Sequence, residues 1–161
     1  MEPRAGENRY HGFDTAVRDV GIYRGDLAIL ELDLDFPQLR LTIENRVAGH
    51  GIPAGGPSRV LVLEISLLDS TGVETHKVVE AFGKRFENDR SGLLPNKLLE
   101  DTQLRSGERR RLSFDLPTAL RGRVSRARAT LRFYEISDEH QGDLEKAHWI
   151  SEPILEQTIS F

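Results

Sequence analysis

The residues best placed to do chemistry lie in the stretch 45–59, NRVAGHGIPAGGPSR, where a histidine, His50, stands among glycines and prolines. A neutral imidazole nitrogen is a good metal ligand and a base near neutral pH. Gly49, Gly51, Gly55 and Gly56 keep bulk away from one side of the ring, and Pro53 and Pro57 restrain the backbone on the other. Such a histidine is open to a ligand yet held in place, which is the geometry a metal ion needs. Asn45, Gly49, Pro53, Gly55 and Arg59 form the expected loop scaffold. A plainer reading stands beside this one: His50, like Asn45, would hydrogen-bond to loop backbone and serve only to shape the turn.

Other chemistries find less support. The chain has no cysteine, which removes disulfides, thiolate nucleophiles and Cys-based zinc sites. Ser58, Ser66, Ser70 and Ser91 lack the context of a nucleophile elbow, and no Gly-rich loop runs into a helix that would cradle phosphate. The acid pairs Asp33 with Asp35 and Glu100 with Asp101 fall on a strand's wet face and in a connection. His76, His140 and His148 show neither H-x-H nor i,i+4 spacing, so they do not form a self-contained metal site. Trp149 reads as a core or edge anchor. We expect no enzymatic activity.

The elements that must hold the His50 loop are strands. Before it, Leu39, Leu41 and Ile43 alternate with Arg40, Thr42 and Glu44; after it, Leu61, Leu63, Ile65 and Leu67 alternate with Val60, Val62, Glu64 and Ser66. This period of two places the loop between two half-buried strands. Residues 22–35 also alternate, with Leu30, Leu32 and Leu34 expected on one face and the acids on the other. Asp69-Ser70-Thr71-Gly72 closes the strand 59–68 as a turn, and 75–82 returns as a hairpin partner. Residues 88–101 read as a long connection with one short turn of helix. Strands resume at 109–116, where Leu112, Phe114 and Leu116 share a face, and at 125–134, and the last runs over 154–161 after Pro153. Residues 1–18 read as an irregular lead-in and 19–161 as one domain. Seven or eight strands spaced by turn signals predict an all-β, antiparallel two-sheet sandwich of immunoglobulin-like type.

Composition narrows the partners. With 161 residues and 38% hydrophobic content the chain can build one core. A net charge of −4 argues against binding a phosphate backbone, so nucleic acid is not an expected partner. The arginines at 109–111 and 121–128 read as the solvent face of strands. Residues 1–13 lack the apolar core of a signal peptide, and no run approaches the ~20 apolar residues of a membrane helix, so no membrane insertion is expected.

The order Asn45, Ala48-Gly49-His50, Ile52-Pro53, Gly55, Pro57, Arg59, followed by an apolar strand ending in Asp69 and Gly72, resembles the β-sandwich module at the C-terminal end of multihaem c-type cytochromes. The usual form there is N…GH-x-hydrophobic-P-TG…R, then an alternating strand and a D-x-x-G turn. Asp101-Thr102 with Leu104, Ser106-Gly107-Glu108 before a strand ending Leu116-Pro117, and Leu131-Arg132-Phe133-Tyr134 are similar to later parts of that module. His11 and Phe13 resemble the H-x-F segment preceding it. The chain departs from the pattern at Ala54, where threonine is usual, and at Gly51, where a longer side chain is frequent. It also lacks any CxxCH haem-attachment segment.

The resemblance implies a module that packs against a haem-bearing portion or subunit in the periplasm or outside the cell. It implies further that His50, and with it His11, offers a distal imidazole to haem iron held by that partner, with no haem bound covalently here. The contrasting reading is a protein- or glycan-binding assembly module whose loop histidine is structural.

Overall fold

The computed structural model describes residues 25, 27–47, 49–54, 59–87, 97–135, 148–149 and 153–161. Among these the chain forms β1 (Leu27–Asp35), β2 (Gln38–Asn45), β3 (Arg59–Leu68), β4 (Glu74–Glu87), β5 (Lys97–Asp101), β6 (Arg109–Asp115), β7 (Arg126–Glu135), the two-residue β8 (His148–Trp149) and β9 (Leu155–Ser160), with a single 3-10 turn at Thr118–Leu120. All pairings are antiparallel. One sheet has the order β1-β2-β6; the other runs β5-β4-β3-β7, with β8 and β9 pairing different stretches of β7. This is the two-sheet sandwich that the alternating runs predict.

The two sheets face each other through the alternating apolar sets. Leu39, Leu41 and Ile43 of β2 meet Leu61, Leu63, Ile65 and Leu67 of β3, joined by Phe82 of β4 and Ala127, Ala129 and Leu131 of β7, all essentially inaccessible to water. β3 is central in its sheet, paired with β4 on one side and β7 on the other. Its outward Val62 and Ser66 are therefore also buried. The turn after β3 forms as the residue types require: the Asp69 carboxylate accepts from the amides of Thr71 at 2.8 Å and Val73 at 3.0 Å, while Gly72 takes φ 88°.

Three expectations need correction. In β1 the register shifts between Ile29 and Glu31, so Leu30 does not share a face with Leu32 and Leu34. A bulge turns Leu30 outward, 40% exposed, while Leu27 and Ile29 oppose Asn45 and Ile43 on the inner side. The expected connection over 88–101 ends in a strand: residues 97–101 form β5, pairing with 84–87, so Glu100 and Asp101 sit on an edge strand. Finally, the arginines at 109–111 do not all lie on a solvent face. Arg110 opposes Ile43 and lies over the Phe82 ring at 5.5 Å, so it points inward while Arg109 and Arg111 face water. The lead-in 1–18, with His11, and the polar stretch 137–146 lie outside the described residues, as do Ala48, Gly55 and Pro57.

Candidate functional site: the His50 loop

The loop leaves β2 at Asn45 and re-enters the sheet at Arg59. Asn45 is completely buried. Its side-chain amide donates to the carbonyls of His50 at 3.0 Å, Leu104 at 2.9 Å and Arg105 at 3.0 Å, while its Oδ1 accepts from the Val47 amide at 2.9 Å. Its backbone amide donates to Glu108 at 3.0 Å. One short amide side chain thus ties the start of the loop to its apex and to the β5–β6 connection. Burying such a group is tolerable only because each polar atom has a partner.

A second tier of contacts fixes the rest. Ile52 and Leu104 exchange backbone hydrogen bonds of 2.8 and 2.9 Å in an isolated bridge, with both side chains in the core. The Ser106 hydroxyl accepts from the Gly49 amide at 2.9 Å and donates to the Val47 carbonyl at 2.6 Å. Gly49 has φ 90°, a left-handed conformation that a Cβ would strain. Pro53 is buried, and its carbonyl accepts from the Gln103 side-chain amide. Arg59 reaches back to the Ala54 carbonyl at 3.1 Å.

The β5–β6 connection that receives the loop is itself locked by Arg110. From the inner face of β6 its guanidinium donates to the Thr102 carbonyl at 2.7 Å and the Gln103 carbonyl at 2.9 Å, and its Nε donates to Glu108 at 2.8 Å. Burial pushes the Glu108 carboxyl up, but hydrogen bonds from Arg110 and the Arg105 amide outweigh it and hold the group below its ordinary value. Outside, Glu44 accepts from Arg46 at 2.7 Å and from Arg109 at 2.6 Å, and these bonds likewise hold its carboxyl low. Opposite Arg110, Glu80 is pushed up by burial, with the Arg110 charge opposing the shift.

Against this rigid frame His50 is exposed. Its carbonyl is engaged by Asn45, yet among the described residues its imidazole makes no hydrogen bond or ion pair. Both ring nitrogens are therefore without a partner among the described residues. Among the described residues no group of three His, Cys, Asp or Glu side chains is placed to hold a metal ion. His76 lies on β4, where its strand position is next to that of Leu67 of β3, and His148 occupies the β8 position opposite Glu135. His140 lies outside the described residues. Arg110 carries a charge that composition alone places in solvent, yet it lies over the Phe82 ring. The signal was present, since Leu112 and Phe114 put position 110 on the inner face by the period of two.

Comparison with known proteins gives a fold-level likeness. No family model and no curated protein matches the chain. Among solved structures, a penta-heme cytochrome c552 from Thermochromatium tepidum superposes with a TM-score of 0.65 at 18% identity, over 89% of this chain and 42% of the cytochrome. The sandwich thus has the fold of a part of a multihaem cytochrome and spans less than half of that protein's length. With no cysteine, this chain forms no thioether bond to haem.

Proposed function

We propose that the chain is a non-catalytic, immunoglobulin-like sandwich module of a multihaem cytochrome electron-transfer system, acting in the periplasm or outside the cell. It packs on a haem-bearing protein and presents His50 as a distal ligand to haem iron. The observation carrying this reading is the contrast at the loop: a backbone pinned at Asn45, Gly49, Ile52 and Pro53, and an exposed imidazole with no partner among the described residues. A side chain needed only to shape the turn would spend its nitrogens on the loop, as Asn45 does. The likeness to the penta-heme cytochrome supports the choice of haem.

The residues fit such a role. An iron ligand donated across an interface must be exposed and available to the metal, and its backbone must not yield as the partner docks. Bound haem iron would supply the redox chemistry, and His50 of this chain would hold that iron. The test is recovery of the tagged chain from its host, with haem staining of denatured partners and a His50→Ala bait in parallel. Retention of a covalent-haem protein, with an altered haem spectrum for the variant, supports the reading. Retention only of proteins without haem would leave a general assembly module of protein- or glycan-binding type.

A further inference from the structure

We propose that Arg105 is the carboxylate-recognising partner of His50, pairing with a propionate of the haem whose iron His50 ligates; this rests on the haem-ligand reading above. The two residues are brought together by a single group. The Asn45 amide nitrogen donates to the His50 and Arg105 carbonyls, each at 3.0 Å, so those two oxygens lie no more than about 6 Å apart. Both side chains are exposed. Arg105 also has a fixed backbone: its amide donates to Glu108 at 2.6 Å and its carbonyl accepts from the Glu108 amide at 3.0 Å.

The charges around the loop single out Arg105. Among the described residues, Arg59 is turned back to the Ala54 carbonyl, and arginines 46, 105, 109 and 110 are grouped around two carboxylates, Glu44 and Glu108. Glu44 is occupied by Arg46 and Arg109, at 2.7 and 2.6 Å. Glu108 gives one oxygen to Arg110 and the other to the Arg105 amide. The Arg105 guanidinium adds to the field that lowers Glu108 but makes no hydrogen bond or ion pair among the described residues. The loop end therefore presents an exposed imidazole beside a planar cation that has no hydrogen-bond or ion-pair partner among the described residues. Haem carries the complementary pair, a metal at its centre and carboxylates on one edge. The guanidinium fork matches a carboxylate in a way a lysine ammonium does not.

The test is titration of the isolated chain with monomeric ferric haem in neutral detergent, and in parallel with haem dimethyl ester, following the Soret band. The difference between wild type and His50→Ala isolates coordination at this loop. Arg105→Gln is expected to weaken that coordination about five- to tenfold for haem and to leave the ester unchanged, with Arg105→Lys intermediate and the thermal midpoint unaltered. Equal binding of haem by wild type and Arg105→Gln would overturn the role of Arg105 while leaving His50 a ligand. Identical titrations of wild type and His50→Ala would instead remove the ligand reading, and the Arg105 proposal with it.

Discussion

At the scale of single residues, Asn45 and His50 divide the labour of the loop, and opposite mutational signatures separate them. Truncating Asn45 leaves the carbonyls of His50, Leu104 and Arg105 and the Val47 amide without their common partner, one of the four contacts being buried and the other three part-buried. Asn45→Ala is expected to cost about 3 kcal/mol, as buried polar groups lose their bonds, read as a fall in the denaturant midpoint at constant m-value. His50→Ala removes an exposed ring with no side-chain partner among the described residues, so stability is expected to stay within about 0.5 kcal/mol of wild type in the same unfolding experiment. A large loss in the second variant would mean that the histidine is structural. The sequence announced the loop because glycine and proline mark restrained turns, and Asn45 stood at its mouth. What it hid was the receiving side, since Leu104, Arg105 and Ser106 meet the loop only through tertiary contact.

Among the elements, β1 and β6 show where alternation informs and where it misleads. The acids Glu31, Asp33 and Asp35 fall outward as the period of two requires, but the bulge before Glu31 exchanges the roles of Leu30 and Ile29. A bulge adds one residue without changing composition, so an unbroken apolar run conceals it. Leu30→Lys is expected to be tolerated within about 0.5 kcal/mol, whereas Leu32→Ala is expected to cost about 2–3 kcal/mol by opening the core, both measured by thermal unfolding. Equal costs would show that Leu30 packs inside. β6 teaches the converse: its pattern puts Arg110 inward with Leu112 and Phe114, and the charge is accommodated because Thr102, Gln103, Glu108 and the Phe82 ring receive it. β5 escaped notice because five residues, Lys97–Asp101, carry too short an alternation to stand out from a connection.

For the molecule as a whole, opposed carboxylates shape the pH dependence. Glu108 has its pKa lowered on folding, so it contributes stability above the ordinary glutamate value of about 4.3; this is lost as pH falls through the lower folded value. Glu44 and Asp69 act in the same sense. Glu80, facing inward on β4, has its pKa raised, so its ionisation opposes folding as pH rises through that same ordinary value. Glu80→Gln is expected to raise the thermal midpoint at pH 7 and to change it little at pH 3.5. Glu108→Gln is expected to lower the midpoint at pH 7 and to flatten the acid limb. A Glu80→Gln protein less stable at pH 7 would show that its attraction to Arg110 outweighs the burial cost. The two-sheet architecture was legible from alternation and turn residues together, whereas the pairing of β8 and β9 along one strand, β7, was not, since sequence carries no register between distant strands.

The central claim is that this sandwich supplies His50 to haem iron on a docked partner. It is tested most directly by low-temperature electron paramagnetic resonance of the haem protein recovered with the chain, oxidised, before and after adding wild type or His50→Ala. Conversion of a high-spin ferric signal to low spin by the wild type, with the high-spin signal persisting for His50→Ala although the variant still binds, is the result the account predicts. An unchanged high-spin signal with bound wild type, or the same conversion by both proteins, would contradict it.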